Sequence, residues 1–160
     1  MSVLTIAPAS DDLAGEGDLL RVRDLGVAYT SRGQREPVGA LRGVSLEVGP
    51  GEVVALVGES GSGKSTLAHA VLGALPGNAR ITSGSIHLGR TRLDGLSDRA
   101  FDKIRGRQIS FVPQDPMVGL NPVHKIGRQV AEPLLIHGLV SKSEAHAEAV
   151  RLLERVGMDR

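Results

Sequence analysis

The feature that most constrains this chain is Gly58-Glu59-Ser60-Gly61-Ser62-Gly63-Lys64-Ser65, which follows the apolar run Val53-Val54-Ala55-Leu56-Val57 and precedes a segment with helical spacing. A continuous apolar run suits a strand covered on both faces, as in a parallel sheet. Leu67, Val71, Leu72 and Leu75 then recur at helical intervals over residues 64–75,. Strand, glycine loop and helix in that order are the context required by the pattern G-x-x-x-x-G-K-[ST], a phosphate-binding loop. Its four fixed positions match by chance in roughly half a per cent of chains this long, so the match with its flanks argues against a ligand-free Gly-Ser turn. In such a loop successive N–H groups converge on phosphate oxygens, and the helix adds the positive end of its dipole. Lys64 is placed to neutralise phosphate charge and Ser65 to ligate Mg²⁺,.

Composition narrows the class. The 160 residues carry 19 Lys plus Arg against 18 Asp plus Glu, a net charge of +1, too balanced for a dedicated nucleic-acid binder,. Apolar residues make up 41% and charged residues 23%, values of a globular domain,. Cysteine is absent, which removes disulfides and thiolate metal sites,. The five histidines, His69, His87, His124, His137 and His146, show no metal-ligand spacing,. Arg99, Lys103, Arg105 and Arg107 form a local basic cluster, read as a solvated helix end,.

Residues 1–18 mix Ser, Ala, Gly and Asp around one short apolar run, Val3-Leu4-Thr5-Ile6, and read as a disordered tail before a domain at 19–160. Strand-like alternation marks residues 19–25, 27–29 and 44–48, with a breaker-rich loop over 31–37 and a turn at Gly49-Pro50-Gly51-Glu52,. Residues 83–89 and 109–112 are further predicted strands,. Ser97 is placed to cap a helix to about Ile104 with Phe101 inward, and residues 126–137 are a predicted helix,. Ser141-Lys142-Ser143-Glu144 has capping-box spacing before a helix over 145–156, which Gly157 stops,.

Gly61-Ser62-Gly63-Lys64-Ser65-Thr66, after two antiparallel-type strands and a turn, resembles the nucleotide-binding domain of ABC transporters. The resemblance implies an α/β fold, a P-loop NTPase of ABC type: an antiparallel β subdomain, an incomplete parallel-sheet core and the start of a helical subdomain. It implies ATP and Mg²⁺ as cofactors, with Tyr29, the only tyrosine, as the aromatic that stacks on adenine. It assigns Gly58, Ser60, Gly61, Ser62, Gly63, Lys64, Ser65 and Thr66 to the nucleotide. Gln114, after the Ile109-Ser110-Phe111-Val112-Pro113 run, matches the glutamine that senses Mg²⁺ and γ-phosphate, so that Lys64 and Gln114 serve catalysis and Ser65 and Gln114 the metal.

Gln114-Asp115-Pro116-Met117-Val118-Gly119-Leu120-Asn121-Pro122 resembles a run of the oligopeptide, dipeptide and nickel importer branch, with Val118-Gly119 where a small hydroxyl pair is common there. What this implies is an ATPase that energises import at the cytoplasmic face of the membrane. Its partners would be permease subunits met through this run, a second ATP-binding domain and, indirectly, a solute-binding protein. Past Ser65 no apolar strand ends in Asp-Glu, and no L-S-G-G-Q signature occurs. The chain is therefore expected to be the N-terminal piece of a longer product, its general base lying elsewhere. Two other readings remain: a nucleotide-binding module without catalysis, and a small P-loop kinase, which would normally open on its loop-bearing strand.

Overall fold

A computed structural model describes residues 3–6, 19–31, 33, 36–113, 115 and 119–158. They divide into two compact units, Leu4–Phe111 and Val112–Arg160 with Met1–Val3. The larger unit is built on a four-stranded antiparallel sheet. Its central strand β2 (Leu20–Tyr29) lies between β3 (Val38–Val48) and β4 (Ala79–Leu88), and the short β5 (Thr91–Arg92) extends the β4 side. The phase of alternation in β2 changes midway: Leu20 and Val22 are buried, then Leu25 and Val27. A bulge makes the change, with Asp24 at φ 46° and shifts in register toward both neighbours,. The Ser83 hydroxyl donates to Asp24 O at 3.1 Å, and Ser45 Oγ accepts from Asp24 N–H at 3.0 Å. The two alternating segments of the sequence are thus one bent strand.

The core joins β2, Leu41, Ile86 and Leu88 of the sheet to Leu67, Ala70 and Val71 of α1 (Lys64–Val71). Phe101 of α2 (Asp98–Phe101) is buried as expected, together with Ile104 and Ile109. The Arg105 guanidinium donates to Leu72 O at 2.9 Å and Gly73 O at 2.6 Å and stands 4.8 Å from the Phe101 ring. One member of the basic cluster is therefore the cap of α1's C-terminus, not a solvated charge.

Two expectations need correction. Val53-Val54-Ala55-Leu56-Val57 does not form a sheet strand, and Val53 and Val57 are 95% and 94% exposed. An apolar run becomes a covered strand only where neighbouring strands pair with it, and no described strand does,. The parallel-sheet core is to that extent missing. Within the presumed tail, Val3–Ile6 is a strand, β1, paired with β6 (Ile109–Val112) in a two-stranded sheet. The short apolar run supplies β6 with a partner; the rest of 1–18 lies outside the described residues.

In the smaller unit α3 (Ile126–Ile136) packs on α4 (Ala145–Arg155) through Ala131, Ala145 and Ala149, flanked by Val130 and Val140. Small side chains let the two helices approach closely. Ahead of α3, the Gln129 amide accepts from Asn121 N–H at 2.7 Å and donates to Asn121 O and His124 O, both at 2.9 Å. The capping box is half realised. The Glu144 carboxylate accepts from Ser141 N–H at 3.0 Å, but the Ser141 hydroxyl donates to that carboxylate instead of accepting from a helix N–H. Those bonds hold the Glu144 carboxyl below the usual range.

Candidate functional site

The glycine loop runs from residue 58 into the first turn of α1. Gly63 is the N-cap, with φ 94°. A Cβ at that position would stand 2.7 Å from Leu41 Cδ2 and 3.0 Å from Ala40 O, so the loop sits on β3 with no room for a side chain. A Cβ on Gly58 would lie 2.9 Å from Ser62 Oγ, where the loop closes on itself. Ser62 N–H donates to Glu59 O at 3.2 Å, which makes the curl a turn.

Lys64 completes the curl. Its ammonium donates to Gly58 O at 2.7 Å, Glu59 O at 2.6 Å and Ser62 Oγ at 3.1 Å, using all three of its protons,. The cation is thus held inside the loop by the loop's own backbone. The first bond into α1 is Leu67 N–H to Gly63 O at 2.9 Å, so the N–H groups of Lys64, Ser65 and Thr66 belong to the first turn, which lacks helical acceptors,. A fixed cation, a helix N-terminus and a curl too tight for side chains together suit an anion with several oxygens. A phosphate chain fits; entering it must compete with the three acceptors on Lys64.

Tyr29 comes to the same place from the end of β2. Its hydroxyl is 3.3 Å from Thr66 Oγ1 on the first turn of α1. The structure therefore brings together Tyr29, Gly58, Ser60, Gly61, Ser62, Gly63, Lys64, Ser65 and Thr66 in the larger unit. Gln114 lies outside the described residues, as do Pro116, Met117 and Val118 of its run. Among the described residues no cluster of three or more His, Asp or Glu could hold a metal ion. No described helix is long and apolar enough to cross a membrane.

Three elements of the site had no sequence signal. The Tyr29 to Thr66 contact spans 37 residues. The Lys64 cage depends on loop closure, and support from Leu41 and Ala40 comes from the part of β3 where Gly39, Arg42 and Gly43 dilute the alternation.

Residues 41–160 match the family described as ABC transporter. The oligopeptide transport ATP-binding protein OppD of Mycobacterium tuberculosis is 50% identical over 141 residues, covering 88% of this chain and 22% of that protein. AppD of Bacillus subtilis, also an oligopeptide transport ATP-binding protein, is 41% identical over 143 residues, 89% of this chain and 43% of its own length. The dipeptide transport ATP-binding protein DppD of the same organism is 42% identical, with coverages of 88% and 42%. The chain thus spans from 22% to 43% of the length of these relatives. Among solved structures, the ATP-binding cassette MJ0796, in a dimeric post-hydrolysis state with ADP and Pi, superposes with a TM-score of 0.69 at 23% identity. It covers 88% of this chain and 58% of that one. At that identity the likeness establishes the fold.

Proposed function

The chain belongs to the ABC transporter family, and from that premise we propose that it is part of an ATPase subunit that energises import of peptides or a related small solute such as nickel. The observation that carries the reading is the Lys64 ammonium caged within a loop that opens α1, with Tyr29 held beside it. The names of the relatives, oligopeptide and dipeptide transport proteins, favour peptides as the solute.

Bound ATP with Mg²⁺ supplies the γ-phosphoryl group and the charge that makes it susceptible to attack by water. The chain's residues do the holding. The N–H groups of the loop and first turn would receive phosphate oxygens, and Lys64 would balance their charge,. Ser65, which is exposed, would ligate the metal. Tyr29 offers its ring to the base, since stacking on an aromatic ring needs no base-edge contact. Gln114 is assigned to the metal and γ-phosphate by its position in the sequence, and its run to the permease subunits. The assembly would work as a pair of ATP-binding domains at the cytoplasmic face of the membrane.

The second reading applies to these 160 residues by themselves: nucleotide binding without turnover, because no apolar strand here ends in Asp-Glu. Equilibrium dialysis with MgATP tests binding: wild type binds, and Lys64→Ala weakens binding at least tenfold. Equal binding by the two sinks the site assignment. Phosphate release measured on the 160 residues separates the readings; steady turnover lost in Lys64→Ala would overturn the limit to binding.

A further inference from the structure

Tyr29 is fixed at two ends. Its backbone ends the central strand, paired with Val38 of β3 and Ala79 of β4. The next residue is clasped as well: Thr30 N–H and Oγ1–H donate to Asn78 O at 2.7 and 3.1 Å, and Asn78 Nδ2 donates to Thr30 O at 3.3 Å. With the backbone paired on both sides, the two side-chain torsions are what is left to swing the ring. The far end of that swing is closed by Thr66, whose Oγ1 is 3.3 Å from the tyrosine hydroxyl, with both residues partly buried. Threonine in a helix divides between two rotamers, and this contact favours one.

We propose that Thr66 is a positioning residue for Tyr29: its hydroxyl tethers the phenol to the first turn of α1 and sets the ring at a fixed separation from the phosphate loop. The proposal rests on the nucleotide reading above and adds the device that presents the base platform. Thr66 follows Ser65 directly, so the helix turn that receives phosphate also holds the ring. A ligand with both a base and phosphates then meets two preset surfaces, and the ordering cost of binding falls. A ligand with phosphates alone gains nothing from the tether. The expected preference is the worth of one neutral hydrogen bond, about three- to tenfold in affinity.

Tyr29 is the sole tyrosine and tryptophan is absent, so tyrosine fluorescence reports this ring alone. In the absence of nucleotide, time-resolved anisotropy should show a restrained ring in wild type and Thr66→Ser and a fast component in Thr66→Val. Calorimetric titration with MgATP and with magnesium tripolyphosphate gives the preference for the base-bearing ligand. That ratio should fall about three- to tenfold in Thr66→Val and in Tyr29→Phe, and no further in the double variant. Thr66→Ser should keep it. Additive losses, or unchanged anisotropy in Thr66→Val, overturn the tether while leaving nucleotide binding intact. Wild type that binds neither ligand overturns the nucleotide reading and the tether with it. Should Thr66→Val fail to fold, Tyr29→Phe must still lower the ratio and Thr66→Ser must not.

Discussion

Gly63 combines two demands that only glycine meets. Its φ of 94° lies in the left-handed region, and the direction a Cβ would take is filled by Leu41 Cδ2 and Ala40 O,. Gly63→Ala is therefore expected to cost about 1–3 kcal/mol from backbone strain, with the clash on β3 pushing toward the upper end. Urea unfolding measures it, and binding of tripolyphosphate should weaken in parallel because the cap of α1 shifts. Stability within error of wild type would show that the loop relaxes freely. At this scale the sequence was most legible: glycine, lysine and hydroxyl spacing name a phosphate loop because the chemistry depends on neighbours in the chain. What it could not name were partners set by tertiary approach, such as Leu41, Ala40 and the tyrosine end of the Thr66 contact.

Helices and strands were legible by type and less so by their ends. Residues 126–137 and 145–156 were read as helices and appear as Ile126–Ile136 and Ala145–Arg155. The predicted strand at 83–89 is the second half of β4; its first half, where Ala79 and Ile81 alternate with Arg80 and Thr82, is too short an alternation to stand out in the sequence. Arg105 shows why charge patterns mislead: it looked like solvated charge, yet it closes the C-terminus of α1. Bonds from a charged donor to carbonyls are worth about 1.5–3 kcal/mol, whereas its ion pairs with the exposed Asp98 and Asp102 are screened,. Arg105→Ala should thus lose about 2 kcal/mol and Asp98→Ala less than about 0.5. Arg105→Lys should recover only part, for an ammonium cannot match the fork that spans Leu72 O and Gly73 O. Equal losses in Arg105→Ala and Asp98→Ala, by thermal or urea unfolding, would place the stabilisation in the ion pairs.

Beside the β4–β5 hairpin lies one acid-sensitive carboxylate. Asp94, its side chain 8% exposed, accepts from Ile86 N–H at 2.8 Å and pairs with the Arg92 guanidinium. Burial pushes its carboxyl up, but the bond from Arg92 and the Ile86 N–H outweigh it and hold the group below the ordinary aspartate value. A depressed carboxyl stabilises the fold above its unfolded pKa of about 4, and the contribution is lost as pH falls through the lower folded value. Asp94→Asn keeps an acceptor for Ile86 but loses the charge that pairs with Arg92, so it should flatten that acid limb by being less stable than wild type at pH 7 and closer to it at pH 3,. Asp94→Ala strands the buried N–H and should cost about 1–3 kcal/mol at pH 7 as well. Urea midpoints at pH 7 and pH 3 for the three proteins give the comparison; an acid limb as steep in Asp94→Asn as in wild type would move the sensitivity to other carboxylates.

For the whole molecule, the decisive quantity is the apolar surface that local pattern assigned to a core. Val53, Leu56 and Val57 read as the inside of a parallel sheet, but they are 95%, 45% and 94% exposed. Full burial of Val53 and of Val57 would each yield about 1.5–3 kcal/mol, a stabilisation these 160 residues leave almost wholly unrealised. Poor coverage was an expectation of the family resemblance, since a strand's coverage depends on which other strands are present,. Unpaired N–H and C=O groups beside apolar side chains also form an edge that another chain can extend. The 160-residue chain should therefore associate as its concentration rises, seen by sedimentation velocity. The double substitution of Val53→Lys and Val57→Lys should shift it toward monomer, since charge on an edge opposes pairing. Both side chains are solvated already, so the urea midpoint should move by less than about 0.5 kcal/mol equivalent. Association undiminished in the double variant would locate the contact elsewhere, and a large loss of stability would mean that this segment is covered in solution.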